Sequence, residues 1–139
     1  MVLCVLLGLI PFVFGGFMNW YMMEYMDRLP PYLLISIAVL VIWVAIAFAM
    51  KCLLRDSKKV ILGLNSVPFL MMVLFGIQDL VLGAFWMNPL GQWTQYYYLP
   101  LMNLGYRLTT WSSRMTTTVA ASFLLLVAAS VLGCRLEKK

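Results

Sequence analysis

The chain has 139 residues, of which 64% are hydrophobic and 11% charged, with a formal net charge of +5 and no histidine. Soluble domains run at about 45–50% apolar and about 25% charged, so this composition, with a mean hydropathy of +0.94, excludes a water-soluble fold and describes an integral membrane protein. With no histidine, and with three cysteines that lack CxxC or metal-ligand spacing, zinc, haem, dithiol and Cys-His chemistry have no parts to work with, and neither a metal nor a cofactor is expected.

Four stretches, residues 1–23, 29–50, 60–88 and 115–134, carry no charged side chain apart from Asp79, and each reaches the roughly 20 residues needed to cross about 30 Å of hydrocarbon. The first, over residues 1–23, is apolar from Met1 onward and so lacks the basic leader of a secretory signal; it reads as a retained helix. Pro11 and Gly15-Gly16 make it the least regular of the four. Residues 24–31 form a short loop in which Pro30-Pro31 stops the first helix from running into the second, expected over residues 31–54. The turn that follows is basic, and Asp56-Ser57 is placed to cap the third helix. Residues 60–64 read as an apolar lead-in along the interface, with the third span at 66–87 entering the core near Pro68.

Residues 88–111 make the longest connection. Asn88-Pro89-Leu90-Gly91 is a turn signal, after which Trp93, Tyr96, Tyr97, Leu101 and Leu104 recur at steps of three or four. That spacing predicts a short amphipathic helix lying at the outer interface, interrupted near Pro100, with its Tyr rings at headgroup depth. The fourth span is expected over residues 112–134. The fold class is therefore all-α: a single transmembrane domain over residues 1–139, built as a four-helix antiparallel bundle with an interfacial aromatic segment between helices 3 and 4.

Basic residues set the expected orientation. With the N-terminus inside, Lys51, Arg55, Lys58, Lys59, Arg135, Lys138 and Lys139 lie inside, against Arg28, Arg107 and Arg114 outside. Cys4, Cys52 and Cys134 then fall at inner ends, where a reducing compartment keeps thiols free, and Trp20, Trp86, Trp93 and Trp111 map to the outer boundary. The expectation is an N-in, C-in multi-pass protein of a plasma or bacterial inner membrane. The positive charge is spread over short inner segments with no domain to present it, so the bilayer is the expected partner and nucleic acid is not.

Asp79 is the one charged side chain between Lys59 and Arg107. An acidic residue at the centre of a membrane helix costs about 2.5–3.5 kcal/mol on insertion scales, so it is expected to have a partner or a function. Gly76, Asp79 and Gly83 fall at i, i+3 and i+7 on one helical face, and Gln78 sits beside them, so an intramembrane polar or ion site is expected at Asp79 and Gln78. Small residues on the second helix (Ala38, Ala45, Ala49) and the fourth (Ser122, Ala129, Gly133) offer faces to receive it. Arg107 and Arg114, on one stripe with Trp111 and Thr118 if the fourth helix begins early, are candidates for pairing with Asp79 or for holding a lipid headgroup or another anion. Trp93, Tyr96, Tyr97 and Trp111 are the candidate interaction surface. No pair of converging acids and no nucleophile-base pair is present, so the chain is not expected to be an enzyme. Two functions remain: interaction with another membrane component or with a second copy, as an accessory, immunity or regulatory subunit; or a small oligomeric transporter or channel with Asp79 as the proton- or cation-coupling carboxylate.

Overall fold

The computed structural model describes residues 2–26, 30–84, 88–110 and 114–136. These are helical almost throughout, with no strand among the described residues: α1 (Val2–Leu7), α2 (Ile10–Glu24), α3 (Tyr32–Leu54), α4 (Ser57–Gly76) continuing into a wider π turn (Ile77–Val81), α5 (Pro89–Leu108) and α6 (Met115–Arg135). Four helical stretches are long and apolar enough to cross a membrane: Val2–Glu24, Tyr32–Leu54, Ser57–Val81 and Met115–Arg135.

Local chemistry sets most boundaries. Arg55 ends α3 in a left-handed conformation (φ 53°), and the Asp56 carboxylate opens α4 by accepting from the Lys58 and Lys59 N–H groups at 3.0 and 3.3 Å. Those N–H donors, and the Lys59 ammonium at 3.4 Å, hold the Asp56 carboxyl below the usual range, the backbone N–H of Lys59 first among the causes. Asn88 caps α5 in the same way, accepting from Gly91 N–H at 2.9 Å with Pro89 in the first turn.

The third span therefore begins at Ser57 rather than at residue 66. Residues 60–64 are not an interfacial lead-in, because Val60 and Leu64 are fully buried. Pro68 lies inside α4 instead of opening it. A proline there leaves the Leu64 carbonyl without its usual donor, and this oxygen faces Gly8 of the first span, where an added Cβ would sit 3.1 Å from it. The same device recurs on α5: Pro100 frees the Tyr96 carbonyl, and Gly15 of α2 packs so close to that oxygen that any Cβ would overlap it.

The largest departure from the sequence reading is α5. It is one continuous 20-residue helix through Pro100, not an interrupted helix lying on the interface. It packs against α2, α3, α4 and α6, and Thr94, Tyr97, Tyr98 and Leu101 are fully buried. Its polar atoms are matched rather than left for water: the Tyr97 hydroxyl donates to the Gly8 carbonyl and the Tyr98 hydroxyl to the Pro68 carbonyl, both at 2.6 Å, while Ser36 of α3 donates to the Pro100 carbonyl at 2.6 Å. The three-to-four spacing matches an amphipathic helix, but most of that face, Trp93 excepted, meets protein.

α3 and α6 run side by side in the same direction, with Trp43 on Ser130 and Ala47 beside Cys134. Gly133 permits this approach, since a Cβ there would lie 2.7 Å from that of Ala47. Ser122, Ala129 and Gly133 are buried, with Ser122 against α5 and Gly133 against α3 rather than against Asp79, while Ala38, Ala45 and Ala49 face outward; α3 turns Ser36, Val39, Trp43, Ala47 and Met50 inward instead. α4 runs opposite to α6, from Asn65 beside Ser130 to Asp79 beside Thr116.

Candidate functional site

Asp79 lies in the π turn at the end of the third span. Because α4 starts at Ser57, Asp79 is roughly 33 Å along the helix at 1.5 Å per residue, close to the far end of the span Ser57–Val81. The wide turn is closed by Leu82 N–H on the Ile77 carbonyl at 3.0 Å, and the chain then leaves the helix through Gly83 at φ 61°. Gly83 thus does not continue a face with Gly76 and Asp79; a positive φ is what its lack of a side chain allows there.

The carboxylate reaches across to the start of α6. Its Oδ2 accepts from the Thr116 backbone N–H at 3.0 Å and from the Thr116 hydroxyl. α6 has no side-chain cap from Arg114, its own N-cap residue, so Asp79 supplies the cap from another helix. Capping contributes about 0.5–2 kcal/mol, and a negative charge at the positive end of the helix dipole about 0.3–1 kcal/mol more. Together these are comparable with the mid-membrane penalty, which is itself smaller near a span's end. A cationic partner is not needed to account for the acid.

Gln78, next in the turn, is fully buried and donates through Nε2 to Thr94 Oγ1 at 3.0 Å, tying the third span to α5; Thr94 in turn donates to the Gly91 carbonyl at 2.8 Å. The expected juxtaposition of Asp79 and Gln78 therefore holds in sequence only: the two side chains serve different neighbours, α6 and α5.

Arg107 and Arg114 do not share a helical stripe. α5 ends at Leu108 and α6 starts at Met115, so the early start needed to align them is absent, and Trp111 lies outside the described residues. Arg107 is exposed and donates through Nε to Asn103 Oδ1 at 3.2 Å, one turn back on α5. Arg114 is exposed at the N-cap, where its carbonyl accepts from the Thr117 hydroxyl at 2.6 Å.

Of the candidate surface, Trp93 is 49% exposed, with its ring edge-on to Phe12 at 6.1 Å, and Tyr96 is partly covered. Tyr97 is a correction: at 0% exposure it is a core residue and presents nothing to a partner. An exposed aromatic patch that the periodicity argument missed lies on α2, where Phe17, Trp20, Tyr21 and Tyr25 stack with centroids 5.0–6.4 Å apart. It borders an open apolar hollow of about 300 Å³ lined by Phe17, Met18, Tyr21, Pro30, Pro31 and Ile35.

A second polar node, deeper in the spans, was also missed. Ser130 Oγ accepts from both Trp43 Nε1 and Asn65 Nδ2 at 2.9 Å and donates to the Leu126 carbonyl at 2.9 Å, so one hydroxyl joins α3, α4 and α6. Asn65 Oδ1 is buried with no hydrogen-bond partner among the described residues. The signal was present in the sequence, since the Asn65-Ser66 pair and Ser130 interrupt apolar runs and Trp43 is the one tryptophan in mid-span.

No protein-family model matches the chain, and no curated protein or solved structure is significantly similar to it.

Proposed function

We propose that the protein is a non-enzymatic multi-pass membrane protein that works by binding another membrane component, as an accessory, immunity or regulatory subunit. In this reading the helices form an antiparallel bundle in a plasma or bacterial inner membrane, N-in and C-in, with α5 packed into its outer half. The observation that carries the reading is the use of Asp79 as the cap of α6: the one acid that could couple ion movement is engaged by the Thr116 N–H and hydroxyl. Gln78, Asn65 and Trp43 likewise bond to neighbouring helices. What remains available is the aromatic outer surface around Trp93 and the Phe17–Tyr25 patch.

A photo-crosslinking amino acid at Trp93, used in native membranes, is expected to capture a discrete partner band, or a second copy of the chain. A matched probe at Leu124, which is 63% exposed far from the aromatic end, should not. Recovery of the free monomer alone from both positions would remove the interaction reading.

A second reading has one observation in its favour. Asp79 is only partly buried and sits in a π turn, a distortion often found at functional positions, as a proton- or cation-coupling carboxylate of a small oligomeric transporter or channel would require. Asp79→Asn separates the two. As a cap, Asn serves nearly as well as Asp, so melting should move little, whereas Asp79→Leu should cost about 0.5–2 kcal/mol by leaving the Thr116 N–H uncapped. If Asp79 couples transport, Asn should abolish pH-dependent flux in proteoliposomes while the fold survives.

A further inference from the structure

The turn between α3 and α4 carries a contradiction between backbone and side chain. Arg55 occupies a left-handed conformation, the one non-glycine residue with positive φ among the described residues. Helices commonly end this way, but on glycine or asparagine, because a Cβ is strained there. A strained residue that persists points to a side chain whose role outweighs the backbone cost.

The surroundings show what that role is. Arg55, Lys58 and Lys59 are exposed on the turn, Lys51 is partly covered one turn back on α3, and exposed Arg135 ends the neighbouring α6. Arg135 comes to the α4 side of this turn because α4 and α6 run antiparallel with Asn65 on Ser130, which sets Arg135 about level with Val60, next to Lys59. The one acid among them in the described residues, Asp56, is already engaged by the Lys58 and Lys59 N–H groups and the Lys59 ammonium. Lys51 Nζ donates to the Arg55 carbonyl at 3.4 Å. Arg55, Lys58 and Arg135 make no side-chain hydrogen bond or ion pair among the described residues, so their donors are directed outward. Leu53, Leu62 and Leu136, each 60% exposed or more, surround them. Outward-directed bases beside exposed leucines suit lipid phosphates at the edge of an apolar layer, and a soluble acidic partner would not need the leucines.

We propose that Arg55, Lys58, Lys59 and Arg135 form a binding surface for the phosphate headgroups of anionic lipids, with Arg55 held in its strained turn to present its guanidinium there. The inference needs only the span assignment and is independent of the function proposed above.

Arg55→Gly tests it through effects of opposite sign. In vesicles of phosphatidylcholine alone the variant should melt at or above the wild-type temperature, because glycine relieves the turn. With phosphatidylglycerol added, the wild type should gain thermal stability and retain anionic lipid in native mass spectrometry, and each base removed should lower that retention about fivefold, the equivalent of ~1 kcal/mol. Arg55→Gln should lose retention without the gain in melting temperature, and Lys58→Gln with Lys59→Gln should lose more than either single change. High salt should weaken retention in all of them. Unchanged phosphatidylglycerol retention in both Arg55→Gly and the double variant would overturn the proposal. Stabilisation by inorganic phosphate equal to that by the lipid would overturn the lipid assignment in favour of a free anion. Loss of a co-purifying acidic protein with lipid retention intact would overturn it in favour of a protein partner.

Discussion

Gly15→Val is expected to abolish the folded protein, while the same change at the adjacent Gly16 leaves it intact. A Cβ at Gly15 would overlap the Tyr96 carbonyl oxygen of α5, whereas a Cβ at Gly16 meets nothing within 4 Å. The obstacle at Gly15 is backbone, which cannot rotate away as a side chain does, so α2 and α5 would have to separate. Overpacking a well-packed core costs typically 1–3 kcal/mol when side chains can adjust, and here about 3 kcal/mol or more is expected, a large share of a domain's total stability. Valine at Gly16 should be nearly neutral. The measurement is monodisperse yield and thermal melting in mild detergent, and equal tolerance at the two positions would show that α5 does not pack against α2 through this contact.

Removing the two core tyrosine hydroxyls together should give the next largest loss. Tyr97→Phe and Tyr98→Phe keep the rings and delete only the bonds to the Gly8 and Pro68 carbonyls. Each leaves a buried carbonyl oxygen without that donor, at about 1–2 kcal/mol within a membrane and up to about 3 kcal/mol where no alternative partner is found. The hydroxyls point to different helices, the first span and α4, so the losses should be close to additive, a combined cost of about 2–4 kcal/mol by the same estimates. Chemical or thermal denaturation of the single and double variants measures it. A double variant that melts with the wild type would place α5 outside the core, at the interface suggested by its aromatic periodicity.

These two experiments bear on the element where sequence and structure part. The spans were legible because apolar length in lipid is a one-dimensional property: a charge-free run long enough to cross must satisfy its backbone internally, and helices do so. Boundaries with a local cause were legible for the same reason, Asp56 being a case, since a cap needs only the next three residues. The start of the third span was misplaced because Pro68 looks like a helix opener in sequence, yet Gly8 and Tyr98, remote in the chain, accommodate it.

Asp79 and Gln78 stand out in the sequence as polar residues that an apolar run must account for, but their partners cannot be read from it. Thr116 and Thr94 are unremarkable threonines until folding sets one at the start of α6 and the other against the π turn. Arg107 and Arg114 are candidate partners in the sequence because opposite charge is the obvious complement there; a helix N-terminus offers comparable stabilisation, but it becomes visible only when the helix start is known.

By itself the sequence determined that the chain is helical, that four stretches are long and apolar enough to cross a membrane, where its charge is concentrated, and which lone polar residues need an explanation. The tertiary structure decided that α5 is a core helix rather than a surface one, that Tyr97 faces inward, that the alanines of α3 face outward, and that Asp79 serves α6. The reason is physical. Hydropathy and capping depend on residues within a turn or two, whereas the burial of an amphipathic face depends on whether a neighbouring backbone can come close enough to match it, and here that is settled by glycines and proline-freed carbonyls tens of residues apart.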